Sequence, residues 1–120
     1  MATVAQIEKL RKRLISVAKS NSPRVAYSAI DQIVGLNVSA IPADRGKLGS
    51  ILAKMGAREV NAGRPFLPAV VVRKGSQRPG PGFYPEVRRL CDARYHSIQG
   101  DARLHDAVLQ DVQCYWQAAK

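Results

Sequence analysis

The stretch "VVVRKGSQRPGPG", residues 70–82, limits this chain most, because a β-branched run there meets a segment that no regular element can hold. Val70, Val71 and Val72 suit a pleated, half-buried surface better than a helix, where branching at Cβ crowds the preceding turn. A strand over residues 66–74 is therefore expected. The next eight residues, "GSQRPGPG", hold three glycines and two prolines. Proline fixes φ and lacks an N–H, and glycine favours turns, so a protruding loop is expected there. A second strand is then expected to start at the aromatic pair Phe83 and Tyr84. The result is a β-hairpin with Arg73 and Lys74 at its base and Arg78 in its loop.

Upstream, Ile7, Leu10, Leu14 and Val17 recur at spacings of three and four, which predicts a helix over residues 3–19 with one buried face. Lys9, Lys12, Arg13 and Lys19 fall mostly off that stripe. "SNSPRVAY" breaks the pattern at Pro23. A short helix follows, with Ser28 as its N-cap, Ile30, Ile33 and Val34 facing inward, and Gly35 ending it. A third helix is expected to open at Ser39 or Pro42, with Asp44 in its first turn, where the helix dipole favours an anion, and Gly63 as its stop. Its inner stripe is Leu48, Ile51, Leu52 and Met55. Its outer face gathers Lys47, Ser50, Lys54, Arg58 and Asn61, side chains that can donate to phosphates or base edges.

After the hairpin, a short helix is expected over residues 86–93 and a C-terminal helix from near Asp101. In the latter, Leu104, Val108, Val112 and Tyr115 form one stripe. Tyr115 and Trp116 at its end leave room for a homodimer or partner contact.

The predicted order is helix, short helix, basic helix, strand, loop, strand, which is that of an α+β winged helix-turn-helix with a C-terminal helical extension. The whole chain reads as one domain: residues 1–22 an N-terminal helix, 24–85 the helix-turn-helix plus hairpin wing, and 86–120 the C-terminal helices. With 120 residues it can bury a single core.

Charge points to the partner. The formal net charge is +10, and it is uneven: 16 Lys and Arg against 5 Asp and Glu up to residue 90, then 3 against 4. A field of this size concentrates polyanions and speeds association with them, so nucleic acid is the leading partner and duplex DNA the expected one. An acidic protein surface is the competing partner. No membrane partner is expected, since no apolar run approaches the ~18 residues of a span and the charged N-terminus does not resemble a signal peptide. The expected location is cytoplasmic, with Cys91 and Cys114 as reduced, partly buried thiols.

Catalytic and cofactor signatures are missing. Cys91, His96, His105 and Cys114 do not match the compact spacings of a tetrahedral zinc site, so no metal is expected. No phosphate-cradling glycine motif occurs, carboxylates are scattered, and both histidines read as surface residues rather than bases beside a nucleophile. No cofactor is implied, and an enzyme is not expected.

"RVAYSAIDQIVGL", "DRGKLGSILAKM" and "RPFLPAVVVRKGSQRPGPG" together resemble the DNA-binding domain of the O6-alkylguanine-DNA alkyltransferases and the catalytically inactive alkyltransferase-like proteins. That family has a V-x-Y-x-x-[IL] start to its second helix, a helix with R-A-V-G, and a strand with P-C-H-R. The resemblance covers residues 24–82. It implies that Tyr27 lies near the phosphate of a target nucleotide, and it aligns Lys47, Leu48 and Gly49 with A-V-G. It places Ala69 at the acceptor cysteine and Val70 and Val71 at the following His and Arg. The arginine that replaces a flipped base is Gly46 here, with Arg45 one residue away. Alkyl transfer needs an activated thiolate, so the resemblance implies DNA binding without that chemistry. The strand and its turn also resemble those of small uncharacterised bacterial and phage proteins.

The expected function is non-catalytic binding of double-stranded DNA through a basic helix and a wing. The residues expected to carry it are Tyr27, Arg45, Lys47, Ser50, Lys54 and Arg58, together with Arg73, Lys74 and Arg78. The alternative is a protein-interaction module, such as a phage or mobile-element inhibitor of a host nucleic-acid-handling complex, using the same cations.

Overall fold

The computed structural model describes residues 2–119. Helix α1, Val4–Lys19, starts with a reciprocal cap in which Thr3 Oγ1 accepts from the Gln6 N–H at 3.1 Å and Gln6 Oε1 accepts from the Thr3 N–H at 2.8 Å. Leu10, Leu14, Val17 and Ala18 are buried along its inner face. After a break that includes the buried Pro23, a two-residue strand β1, Val25–Ala26, leads into a single turn α2, Tyr27–Ile30, and a 3-10 turn at Asp31–Val34. Gly35 ends it at φ 73°, a left-handed conformation that glycine adopts without strain. The connection to the next helix is pinned by two buried carboxylates. Asp31 Oδ2 accepts from the Val38 N–H and Asp44 Oδ2 from the Asn37 N–H, each at 2.9 Å.

Helix α3, Ala43–Asn61, buries Leu48, Leu52, Met55, Gly56 and Glu59. A Cβ on Gly56 would stand 2.1 Å from the Phe66 ring, so this glycine is what lets the ring lie directly on the helix. Gly63, at φ 80°, follows the helix as expected. The chain then runs through a 3-10 turn at Leu67–Val70 into strand β2, Val71–Val72. Helix α4, Phe83–Tyr95, carries a non-helical residue at Cys91. Helix α5, Asp101–Ala118, buries Leu104, His105, Val108, Leu109 and Val112.

The winged helix-turn-helix is corrected by this architecture. The molecule is mostly helical, and among the described residues its one sheet has two strands, β1 and β2, paired in parallel with Val25 opposite Val71 and Ala26 opposite Val72. Among the described residues there is no hairpin and no wing. Leu67 to Val72 are all buried without alternation, whereas an antiparallel hairpin with one wet face would alternate. A continuous apolar run is what a strand covered on both faces carries, and α1, α3 and α5 all pack on the Leu67–Val70 turn. Parallel pairing also demands a crossover rather than a tight turn, here supplied by α2 and α3.

The second expected strand is the first turn of α4, and Pro85 is tolerated there because the first-turn N–H groups have no intrahelical acceptor. The Pro/Gly loop does not protrude freely. Pro79 is buried, the Gly80 N–H donates to Tyr27 Oη at 2.8 Å, and Arg78 Nη1 donates to Asp106 Oδ1 at 2.6 Å and to the Ala102 carbonyl at 3.1 Å. Helix α5 is part of the core rather than an extension, since it packs on both α1 and the Leu67–Val70 turn.

Candidate functional site

Parallel pairing sends both strands out of the sheet at the same end. Ala26 and Tyr27 follow from β1, and Arg73 and Lys74 from β2, and all four line one cleft of about 800 Å³. Its other walls are the α3 face that carries Arg45, Gly46, Gly49, Ser50 and Ala53, and the loop from Pro79 to Gly82. Val38, Leu52, Phe66, Pro68 and Phe83 make its lining largely apolar. Small residues on α3 keep that wall low, and the aromatic edge is stiff: the Phe66 and Phe83 rings meet edge to face at 5.5 Å. Tyr27 Oη, already accepting from Gly80, keeps its own hydroxyl proton to donate.

The distribution of ion pairs separates spent cations from free ones. Glu59, 1% exposed, takes Arg11 at 2.6 Å and also Arg64. Asp106 takes Arg78 at 2.6 Å and Arg24 at 3.9 Å, Asp111 takes Arg94 at 2.8 Å, and Glu86 takes Arg89 at 2.5 Å. Lys47 leans on Asp44 at 3.7 Å. Arg45, Lys54, Arg58, Arg73 and Lys74 are exposed and form no ion pair among the described residues. Arg45, Arg73 and Lys74 line the cleft and Lys54 and Arg58 lie further along α3, whereas Lys9, Lys12, Arg13, Lys19 and Arg103, equally exposed and without an ion pair among the described residues, lie elsewhere.

Of the residues named from the sequence, Tyr27, Arg45, Ser50, Arg73 and Lys74 line the cleft. Lys47, Lys54 and Arg58 occupy the outer strip of α3 that continues from Ser50 at helical spacing. Arg78 is turned away from the cleft toward α5. Phe66, Pro68 and Phe83 were not expected to shape a site. Their only advance signal was aromatic and proline residues at both ends of the valine run.

His105 corrects the surface reading of the histidines. It is fully buried, with Nε2 donating to the Ala69 carbonyl at 2.9 Å and Nδ1 accepting from Arg78 Nη1 at 3.1 Å. Its ring also meets the Phe83 ring edge to face at 5.6 Å. Burial pushes its pKa below the ordinary value of 6.5. The imidazole is thus a neutral bracket behind the cleft that ties Phe83, Ala69 and Arg78 together. Of the two thiols, Cys91 is partly buried and its pKa is raised by that burial, while Cys114 is exposed. Ala69, the residue aligned with the alkyltransferase acceptor, is buried and offers no nucleophile.

Among the described residues no group of His, Cys, Asp and Glu could hold a metal ion, and no helix is long and apolar enough to cross a membrane. No protein-family model matches the chain, and neither a curated protein nor a solved structure matches it.

Proposed function

We propose that the chain binds duplex DNA without catalysis, laying the phosphate backbone along the outer strip of α3 and the Arg73–Lys74 rim, with the cleft receiving a base displaced from the stack. The observation that carries this reading is that three exposed cations free of ion pairs among the described residues, Arg45, Arg73 and Lys74, line a cleft that is otherwise largely apolar and aromatic, with Lys54 and Arg58 further along α3. Phosphates call for the first feature and a planar, unstacked base for the second. The resemblance to alkyltransferase-like proteins supports the same reading, as Tyr27 and Arg45 fall at the cleft. The wing plays no part in it.

Fluorescence anisotropy against duplex DNA, single-stranded DNA and RNA over a salt series tests the proposal. Duplex affinity is expected to fall steeply with salt, because each phosphate contact releases about one condensed counterion. A duplex with one mismatch is expected to bind more tightly than a fully paired one, since an unpaired base costs less to unstack. Replacing Lys47, Lys54 and Arg58 together with alanine is expected to weaken duplex binding at least ~10-fold and to lower the salt slope. The same variant is expected to keep its stability within roughly 0.5 kcal/mol per site, as these side chains are exposed. A flat salt response, or no binding at low salt, would refute nucleic acid as the partner and turn attention to an acidic protein surface.

A further inference from the structure

We propose that a second crevice, sharing Arg73, Pro79 and Pro81 with the cleft as a common wall, binds a phosphate group, namely the phosphate next to the nucleotide seated in the cleft. This rests on the DNA-binding reading above and adds a second contact to it.

The crevice measures about 600 Å³ and is open to solvent. Its charged lining is Arg73, Arg78, Arg88 and one acid, Asp101. Pro79, Pro81 and Pro85 also line it, and prolines bring no N–H donors, so donation falls to the guanidinium groups and to the hydroxyls of Ser76 and Tyr84. Burial, followed by the charge of Asp101, pushes the Tyr84 pKa up, which keeps its phenol protonated as a donor. A tetrahedral anion with several acceptor oxygens suits this set, and arginine forks match phosphate geometry in particular.

Two of the cations, Arg78 and Arg88, are held in place before any ligand arrives, and the backbone that carries Arg73 is fixed. The Arg73 N–H donates to the Arg78 carbonyl at 2.8 Å and the Gln77 N–H to the Arg73 carbonyl at 2.9 Å, closing a tight turn with Gln77 at φ 57°. Arg78 is fixed on α5 through Asp106, and Arg88 donates to the Ile98 carbonyl at 2.8 Å and the Tyr95 carbonyl at 3.3 Å. Among the described residues Arg88 forms no ion pair, and its hydrogen bonds go to carbonyls. Arg73 is exposed and forms no ion pair among the described residues, which leaves it able to close on a ligand from either side of the wall. Preset charges bind an anion without the ordering loss that mobile side chains suffer. One DNA strand presents a phosphate about every 3.4 Å of helix axis, so a backbone crossing the cleft carries a neighbouring phosphate over this wall.

Two measurements test the site. The first titrates inorganic phosphate into the labelled full chain and follows the arginine Nε resonances. The second measures duplex binding of Arg88→Gln and, separately, Tyr84→Phe, with thermal melting as the folding control. Shifts at Arg73 and Arg88 are expected with phosphate. Arg88→Gln is expected to weaken duplex binding about tenfold and to lower the salt slope by about one, and Tyr84→Phe to weaken it less and leave the slope unchanged. Silent arginine resonances, with duplex binding intact in both variants, overturn the crevice site while the α3 contact stands. Phosphate-dependent shifts in a chain that binds no duplex keep a phosphate site and overturn its nucleic-acid source.

Discussion

Replacing Arg11 and Arg64 together with alanine is expected to lower the unfolding free energy by about 3–5 kcal/mol, the usual cost of leaving a buried charge without a partner. Glu59 is 1% exposed on the inner side of α3, and its carboxylate accepts from Nε of both arginines, one on α1 and one just beyond α3. The arginines themselves are 27% and 31% exposed. This asymmetry makes the prediction directional. Without its arginines, Glu59 has no water to turn to, whereas without Glu59 the arginines can. Glu59→Gln keeps the shape, removes the charge and is expected to lose less than the double variant. Part of the Arg11 contribution is its stacking over the Trp116 ring at 5.6 Å, so Arg64→Ala alone serves to separate the two effects. Urea unfolding followed by circular dichroism measures all three variants against the wild type. A loss in Glu59→Gln as large as in the double variant would show that the group needing compensation is not the carboxylate.

The second large effect is expected on acidification. His105 is neutral in the fold because burial lowers its pKa, and its protonation would place a cation against Arg78 and end the acceptance of the Arg78 N–H by Nδ1. Arg24 adds to that repulsion and Asp106 opposes it. The sign follows from linkage. Above the unfolded value of 6.5 both states are neutral and stability does not depend on this group, while below it the unfolded chain takes up the proton first and stability falls. One proton allows a slope of at most about 1.4 kcal/mol per pH unit, which levels off below the folded pKa. Asp106 acts in a separate window. The hydrogen bond from Arg78 holds its carboxyl below the usual 3.8, so its contribution is lost only in stronger acid. Chemical denaturation between pH 8 and 5 is expected to show the histidine slope in the wild-type chain and to lack it in His105→Gln. An unchanged slope in that variant would remove His105 as its source.

The sequence made the long periodic elements legible. The stripes of α1, α3 and α5 fell where apolar spacing put them, except that Tyr115 at the end of the α5 stripe is exposed, and Gly35 and Gly63 ended their segments, because these signals lie within a few residues of one another. The valine run was misread for a physical reason. β-Branching favours a strand but says nothing of its partner, and the missing alternation, which marks burial on both faces, pointed to parallel pairing. His105 was not readable, as its partners lie 36 residues away at Ala69 and 27 away at Arg78. Arg78 looked like a free loop cation for the same reason, since Asp106 is distant in sequence. At the candidate site, the α3 cations were visible from helical spacing alone. The cleft beside them was not, because its walls come from several segments far apart in the chain.

The two-residue ladder between β1 and β2 also sets when the cleft can exist. Val25 and Val71 meet only after the chain between them has been laid down and folded, and that long-range closure carries an entropic cost that is repaid late. Tyr27 and Arg73, hanging from the ends of the two strands, are brought together by that closure. Until the ladder closes, the walls that hang from β1 and β2 are not held together, so the cleft belongs to the fully paired fold alone.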